Sequence, residues 1–288
     1  MAIEELYNGH SIEEAVELLG MYKDKAKIIA GGTDIIIALR NERLSPQVLI
    51  DISKIDELKR IEEIEDKIII GSCVSFTQIV ENDLFKDNLC GLANACRLVG
   101  SPPIRNKATI GGNIANNSPA ADSVPPLIAL GSTVTLANTR GTRKVLLEEY
   151  CSNRESAIKE DELIVSIEFN RPKKEEILTF SKLGLRNALA ISRITIAALI
   201  GLDENNIVKN IRVSSGSIGK YPMREISVEE FLKGKELIRE NMDEAINVLQ
   251  LSMDERLKGR GSLPYKRKAV ESILWEALED RILFGVNI

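Results

Sequence analysis

The chain has 288 residues, of which 44% are hydrophobic and 28% are charged, a balance typical of a globular protein with a sizeable core. Its net charge of −5 argues against nucleic-acid binding, because neutralising phosphates requires a basic face. No apolar run reaches the length of a membrane span. The first residues lack the basic start and apolar centre of a signal peptide, so a cytoplasmic location is predicted.

Histidine and cysteine usage limits the chemistry that side chains can perform. His10 is the only histidine, which excludes a Ser-His-Asp triad and most histidine-based acid–base schemes. The four cysteines are scattered without a C-x-x-C motif, so this chain is not expected to ligate a metal or an iron–sulfur cluster. We therefore predict no catalytic side chain and no metal site, and assign the chemistry to a bound cofactor.

The opening fifty residues predict a small α/β unit with parallel strands. Ser11 begins a capping-box pattern at the start of a helix that Gly20 ends. Buried strands are predicted at residues 26–30 and 48–52. Between them, Gly31-Gly32-Thr33-Asp34 leads into an apolar segment. This pattern differs from the G-x-G-x-x-G of Rossmann dinucleotide-binding folds.

The middle of the chain predicts a hairpin, one long helix and two further strands. The hairpin covers residues 61–71, and the helix covers residues 84–98. The strands are expected at residues 133–138 and 163–169. The charged, proline-marked segment 171–176 then indicates a boundary.

Beyond this boundary the pattern changes to strands followed by helices. Strands are predicted at residues 177–183, 191–202 and 207–214. Helices are predicted at residues 228–233, 240–253 and 263–283. The C-terminal part is therefore expected to be a three-stranded antiparallel sheet covered by helices.

The stretch from Arg105 to Pro126 is the most unusual part of the sequence. Its paired glycines, Gly111 and Gly112, and the asparagines that follow favour turns over regular helix or strand. Paired glycines also allow main-chain N–H groups to approach an anionic ligand closely. Asp122 either caps the apolar helix that follows or accepts from a sugar hydroxyl. These features predict a bound, phosphate-bearing cofactor.

Three motifs, in order along the chain, resemble those of one protein family. They are Ala30-Gly-Gly-Thr-Asp34, Ile104-Arg-Asn-Lys-Ala-Thr-Ile-Gly-Gly-Asn113 and Asp161-Glu-Leu-Ile-Val-Ser-Ile-Glu168. On these motifs the chain resembles the FAD-binding medium subunits of the molybdenum hydroxylases, which include xanthine, nicotinate and carbon monoxide dehydrogenases. One glycine pair alone is a weak signal, whereas two pairs about eighty residues apart in these contexts form a specific one.

The resemblance implies an α+β protein with a two-part FAD-binding fold of the vanillyl-alcohol-oxidase (PCMH) type. It implies domains at residues 1–56, at 57–173 with a mixed sheet, and at 177–288. Main-chain donors of both glycine motifs would surround the FAD pyrophosphate. The implied cofactor-binding residues are Ile28, Ile29, Ala30, Gly31, Gly32, Thr33, Asp34, Ile35, Thr109, Ile110, Gly111, Gly112, Asn113, Asp122, Ile164 and Lys182.

The resemblance also implies a function within a hetero-oligomer. An iron–sulfur partner with two [2Fe–2S] clusters would deliver electrons, and FAD in this chain would pass them to NAD+ or another acceptor. A molybdopterin-bearing partner would hydroxylate the substrate, expected to be a purine such as xanthine or another N-heterocycle such as nicotinate. Two alternatives remain, a stand-alone flavin oxidoreductase and a structural subunit that has lost flavin.

Overall fold

The structure is a computed structural model that describes residues 3–153, 157–186 and 189–285, the last six of these by their main chain alone. Met1 and Ala2, part of the segment on which the signal-peptide prediction rests, lie outside this range. The described strands are β1 (Glu5–Asn8), β2 (Ala26–Ile29), β3 (Val48–Asp51), β4 (Ile61–Ile64), β5 (Lys67–Gly71), β6 (Thr133–Asn138), β7 (Gly141–Leu146), β8 (Leu163–Asn170), β9 (Glu176–Gly184), β10 (Ser192–Leu202), β11 (Val208–Gly216) and β12 (Met223–Arg224).

The helices alternate with these strands and cluster near the C-terminus. They are α1 (Ile12–Tyr22), α2 (Ile35–Arg40), α3 (Phe76–Glu81), α4 (Cys90–Arg97), α5 (Pro102–Arg105), α6 (Ile110–Asn116), α7 (Val124–Ala129), α8 (Leu147–Ser152), α9 (Ile226–Leu232), α10 (Arg239–Arg256) and α11 (Leu263–Gly285). Short 3-10 turns lie at Lys23–Lys25, Asp56–Lys59, Asp83–Phe85 and Asp87–Leu89. Within the described residues, none of these helices is long and apolar enough to cross a membrane.

The described chain divides into two compact units, each assembled from three segments. The first unit consists of the residues up to Gln78 together with Ser101–Asn117 and Ser132–Arg171. The second consists of Ile79–Gly100, Ser118–Gly131 and the residues from Pro172 onwards. The glycine motifs at residues 30–34 and 104–113 therefore belong to the first unit, whereas Asp122 and Lys182 belong to the second.

The first unit begins with a three-stranded parallel sheet in the order β1-β3-β2. This confirms the parallel pairing predicted for the opening residues. The Oγ of Ser11 accepts a hydrogen bond from the N–H of Glu14 at 3.1 Å, as a capping residue does. Helix α1 continues two residues beyond Gly20 and ends before Lys23, whose φ of 49° turns the chain. The prediction that Gly20 ends the helix was therefore wrong.

A five-stranded sheet, in the order β4-β5-β8-β6-β7, forms the rest of the first unit's β-structure. Every pairing in it is antiparallel. The mixed sheet predicted for residues 57–173 is thus corrected to an antiparallel one. The reason is that β4 and β5, and likewise β6 and β7, are joined by tight hairpin turns, which make neighbouring strands run in opposite directions.

The second unit contains a four-stranded antiparallel sheet in the order β12-β11-β10-β9. Strands β9, β10 and β11 confirm the three strands predicted here, and the two-residue strand β12 adds a fourth at the edge. Even-numbered residues of β10, from Ile194 to Ile200, are buried in one core with α10 and α11. The alternation of side chains along a strand leaves Thr195 on the opposite face, where Gly216 lies beside it.

The helix predicted at residues 84–98 is broken in the structure. Two 3-10 turns occupy its first part, and only α4 is α-helical. Asp87 has a φ of 51°, a left-handed conformation that interrupts an α-helix. By contrast, the helices predicted at residues 228–233, 240–253 and 263–283 are present as α9, α10 and α11.

Candidate functional site

The glycine motif of the first unit forms a loop between β2 and α2 with free main-chain donors. From Gly31 to Ile35, no main-chain N–H donates a hydrogen bond to another residue that the structure describes. Five successive unpaired donors are uncommon in a folded chain, where such groups are nearly always satisfied. Several N–H groups in one turn create a concavity that favours an anion such as a phosphate.

Glycine is required at two positions of this loop for different reasons. A Cβ on Gly31 would lie 1.8 Å from the main-chain oxygen of Lys107, which is impossible without displacing the backbone. Gly32 has a φ of +75°, a left-handed conformation that residues with a side chain rarely adopt. The loop therefore packs directly against the segment that precedes α6, so the two glycine motifs meet within the first unit.

Apolar side chains around the loop are incompletely covered. Ile28, Ile29, Ala30 and Ile35 are all half-buried, and α2 buries none of its residues within the structure. Ile37, on the same helix, is 52% exposed. Apolar side chains bordering unpaired donors give a surface that suits a ligand with both an apolar and a phosphate part.

The second glycine motif differs from the turn-rich loop predicted for it. Helix α6 begins at Ile110 and runs through Gly111 and Gly112, with Thr109 as its N-cap. The N–H groups of residues 110–113 are already used: they donate to Val74 O at 2.9 Å, Ser72 O at 2.9 Å, Thr109 Oγ1 at 3.1 Å and Thr109 O at 3.0 Å. The N–H groups of residues 110–113 are therefore paired in the structure, unlike those from Gly31 to Ile35, and the binding of a cofactor by residues 109–113 stays a prediction.

Gly111 is instead required for packing. A Cβ there would come within 2.7 Å of Ser72 O and 2.9 Å of Ser72 Cα, which are both main-chain atoms. Gly112 is exposed, and a Cβ there would approach only the hydroxyl of Thr109, at 2.9 Å. Asn113 is half-buried beside it. The two neighbouring glycines therefore have different roles, the first in close packing and the second on an open surface.

The side chain of Thr109 holds the start of α6, and its removal tests that contribution. Thr109→Ala should lower the free energy of unfolding by about 1 kcal/mol, because an N–H in the first turn of the helix loses its acceptor. Thr109→Ser keeps the oxygen and serves as the control. Chemical denaturation monitored by circular dichroism measures both, and equal losses in the two variants would show that the cap does not stabilise the helix.

In the second unit, Asp122 and Lys182 form a buried ion pair. The Nζ of Lys182 lies 2.6 Å from Oδ2 of Asp122, and each side chain is 8% exposed. Lys182 also donates to the main-chain oxygen of Leu98 at 3.1 Å. Ser192 donates its hydroxyl hydrogen to the other carboxylate oxygen of Asp122. Asp122 does not act as the cap of α7, because the residue at the cap position is Ser123.

Burial has the largest effect on the pKa of the Asp122 carboxyl. Loss of solvent raises the pKa of this carboxyl above its ordinary value, while Lys182 and the Ser192 hydroxyl oppose the rise. Ser192 was missed by sequence reasoning because it lies 70 residues from Asp122 and carries no motif. Pairing of β10 with β9 brings the strand that carries Ser192 beside the strand that carries Lys182.

Ile164 lies in the protein core of the first unit. It is 5% exposed on β8 and pairs with Leu136 across a bulge in the ladder. The structure therefore gives Ile164 a packing role. Contact of Ile164 with the cofactor stays a prediction.

The cysteines and the single histidine have ordinary structural environments. Cys73, Cys96 and Cys151 are buried and Cys90 is half-buried, and none of the four is in a disulfide. Burial raises the pKa of Cys73 to about 11 and that of Cys151 to about 12, so neither is a reactive thiolate near neutral pH. His10 is exposed. Among the described residues, no group of three or more His, Cys, Asp or Glu side chains has the arrangement of a metal site.

Comparison with protein families agrees with these features. A model described as the FAD binding domain in molybdopterin dehydrogenase matches residues 2–172, and one described as the CO dehydrogenase flavoprotein C-terminal domain matches residues 179–280. The chain belongs to the FAD-binding medium subunits of the molybdenum hydroxylases. The family resemblance and the FAD-binding fold predicted from the motifs are thereby confirmed.

Individual relatives cover nearly the whole of this FAD subunit. The nicotinate dehydrogenase FAD-subunit of Eubacterium barkeri is 34% identical over 291 residues, covering 98% of both chains. The xanthine dehydrogenase FAD-binding subunit of Escherichia coli O157:H7 is 27% identical over 275 residues, covering 94% of both. The chain is thus similar to subunits of enzymes that act on different substrates.

Solved structures share the fold. Reconstituted CO dehydrogenase from Oligotropha carboxidovorans superposes with a TM-score of 0.89 at 23% identity, covering 97% of both chains. Quinoline 2-oxidoreductase from Pseudomonas putida 86 gives a TM-score of 0.87 at 20% identity, covering 98% of this chain and 97% of that one. At these identities the likeness establishes the architecture.

Proposed function

We propose that this FAD subunit binds the pyrophosphate of FAD at the free N–H groups from Gly31 to Ile35 and relays electrons within a molybdenum hydroxylase complex. The observation that supports this site is the run of unpaired donors beside half-buried isoleucines. Main-chain donors can balance the charge of a diphosphate without basic side chains. This explains how a chain of net charge −5 can hold a doubly negative cofactor segment.

The other residues predicted to bind the cofactor would each contribute differently. Residues 28–30 would border the cofactor with apolar surface and main chain, and residues 109–113 would border the pyrophosphate on its other side, where Gly112 is exposed. In the second unit, Asp122 would accept from a cofactor hydroxyl, and Lys182 would hold that carboxylate in place. Ile164 would contact the cofactor near the flavin. We also propose that the chain has three domains, at residues 1–56, 57–173 and 177–288, and that the protein is cytoplasmic.

Bound FAD would supply the redox chemistry, which no described side chain offers. The chain's own residues would bind and orient the cofactor. We infer that partner chains carry the [2Fe–2S] clusters and the molybdopterin, and that NAD+ or another acceptor receives the electrons. Nicotinate or another N-heterocycle is the favoured substrate of the complex, because the relative at 34% identity is named a nicotinate dehydrogenase subunit. A purine such as xanthine is the other candidate.

The first test is the visible spectrum of the purified chain, followed by denaturation and identification of any released flavin. FAD released without covalent attachment is expected. Folded protein that contains no flavin, and takes up none on reconstitution, would contradict the proposal and favour a structural subunit. Copurification with a molybdenum-containing chain separates an electron-relay subunit from a stand-alone flavin oxidoreductase. NADH formation by the purified complex, supplied in turn with nicotinate and xanthine, then tests the acceptor and the substrate.

A further inference from the structure

Strand β10 is irregular at the point where Ser192 lies. Residues two apart along a regular strand point to the same face, so Ser192 would share the face of Ile194, which is buried in the core with α10 and α11. Between Ser192 and Ile194, however, β10 advances two residues while β9 advances one, so Arg193 is an extra residue. Bulges of this kind redirect side chains and are frequent beside functional sites.

The bulge gives the hydroxyl of Ser192 an acceptor on the other face of the sheet. Lys182 pairs across the ladder with Thr195, which lies on the face opposite Ile194. The Nζ of Lys182 is 2.6 Å from Oδ2 of Asp122, and the Ser192 hydroxyl donates to Oδ1 of the same carboxylate. Because Ser192 is only 5% exposed, water competes little for this hydrogen bond.

Hydrogen bonds through Ser217 fix the position of Ser192 relative to Asp122. The Oγ of Ser217 donates to the main-chain oxygen of Ser192 at 3.0 Å. The main-chain N–H of Ser217 donates to the oxygen of Pro119 at 2.8 Å, and Pro119 is in the segment that leads to Asp122. The segment of Asp122, Ser217 and Ser192 are thus joined in a closed ring of hydrogen bonds. Supporting bonds of this type hold a binding side chain in one geometry.

Within the described residues, Lys182 is the charged group that faces the Asp122 carboxylate. Cys96 on α4 is fully buried, and burial, followed by the charge of Asp122, raises the pKa of its thiol, so Cys96 is neutral. Lys266 on α11 donates elsewhere, to a main-chain oxygen. The hydroxyl of Ser192 therefore shares with Lys182 the task of opposing the effect of burial on the pKa of Asp122.

We propose that Ser192 is a positioning residue for FAD, whose hydroxyl keeps the Asp122 carboxylate ionised and oriented and so sets the lowest pH at which the subunit retains the cofactor. This inference rests on the proposed function, in which Asp122 accepts from a cofactor hydroxyl. Protonation reduces the capacity of a carboxylate to accept hydrogen bonds. FAD affinity is therefore lost as the pH falls through the folded-state pKa of Asp122, and loss of the Ser192 bond moves this decline to higher pH.

The FAD affinity of the purified chain, measured by flavin fluorescence after flavin has been removed and added back, tests this role between about pH 5.5 and about pH 8.5. In Ser192→Ala the decline in affinity should begin roughly one pH unit higher, as expected for one lost charge-assisted hydrogen bond. Ser192→Thr keeps the hydroxyl and should restore the profile of the unaltered chain. Ser192→Cys has nearly the same size but a weak donor, so it should shift the profile in the same direction and serves if Ser192→Ala does not fold.

Ser181→Ala is the matched control. Ser181 is buried on β9 and pairs with Ile196, and its hydroxyl has no hydrogen-bond partner among the described residues. Its removal is the same chemical change without contact to Asp122, so the FAD affinity should stay unchanged at every pH. Asp122→Asn should remove the pH dependence, and adding Ser192→Ala to Asp122→Asn should have no further effect, because Ser192 acts through the carboxylate.

Three results would overturn the role of Ser192. They are an unshifted pH profile in Ser192→Ala, a loss of affinity that is equal at every pH, and a further loss when Ser192→Ala is added to Asp122→Asn. Failure of the proposed function looks different: the unaltered chain takes up no FAD, or Asp122→Asn binds FAD like the unaltered chain at every pH. An unaltered chain that binds FAD, together with an unshifted Ser192→Ala profile, contradicts only the role of Ser192.

Discussion

Gly31→Ala is expected to abolish tight FAD binding and to destabilise the first unit by about 3 kcal/mol. The added Cβ would lie 1.8 Å from Lys107 O and 2.6 Å from Lys107 C, and both atoms belong to the backbone. Because a backbone cannot rotate away as a side chain does, the loop or the segment before α6 must move. That movement would displace the unpaired N–H groups from Gly31 to Ile35. FAD content after gel filtration and the thermal midpoint measure the two effects.

A matched glycine in the same unit provides the control. Gly20 lies inside α1, and a Cβ there would meet only a methyl group of Thr139, at 3.5 Å, which is ordinary contact. Gly20→Ala should stabilise the chain by roughly 0.5–1 kcal/mol, because alanine loses less conformational entropy in a helix. If Gly31→Ala retains the FAD content and thermal midpoint of the unaltered chain, the close approach of Gly31 to Lys107 does not require a glycine.

Lys182→Met is expected to cost about 3 kcal/mol of unfolding free energy at neutral pH. It leaves the carboxylate of Asp122 buried with a single remaining partner, Ser192, and deprives Leu98 O of its donor. Breaking a buried ion pair on one side is costly because the remaining charge is neither solvated nor neutralised. Urea denaturation at fixed pH measures the loss.

The pH dependence of that loss has a definite sign. The pKa of Asp122 is already raised by burial, so in the unaltered chain the folded state holds the proton more tightly than the unfolded state. The contribution of this raised pKa to the free energy of unfolding is fully present below the ordinary carboxyl pKa. It is lost as the pH rises through the folded-state pKa of Asp122. Without Lys182 the folded pKa rises further, so Lys182→Met should regain stability as pH falls from about 7.5 towards about 5.

The double variant Asp122→Asn/Lys182→Met separates charge from packing. It leaves no buried charge, so it should recover about 2 kcal/mol of the loss and show a flatter pH profile than Lys182→Met. A double variant as unstable as Lys182→Met at every pH would mean that packing, rather than the unpaired carboxylate, causes the effect.

Local patterns in the sequence were sufficient to predict most of the architecture. The parallel opening sheet, the hairpin of β4 and β5, and the three main strands of the second unit each follow from alternation and turn residues near one another in the chain. Two features could not be predicted in this way. The strand β12 is too short to show a period, and the left-handed Asp87 interrupts a segment whose apolar pattern is helical.

The functional site could be predicted only in part from the sequence, because hydrogen-bond acceptors distant in the chain decide which donors are free. The two glycine motifs could be recognised, but whether their N–H groups are free depends on acceptors elsewhere. Val74 O accepts from the N–H of Ile110 and Ser72 O accepts from the N–H of Gly111, while the loop at Gly31 meets no such acceptor among the described residues.

The interleaved order of the two units affects how the protein can be made on the ribosome. Every residue of α7 is buried, and α7 packs on β10 and β11, which are synthesised more than sixty residues later. At a synthesis rate of roughly 5–20 residues per second, several seconds pass between the synthesis of α7 and that of the strands that cover it. The first unit is also incomplete until β8 emerges. A nascent chain of this subunit therefore carries uncovered apolar segments for most of its synthesis, a state that favours aggregation.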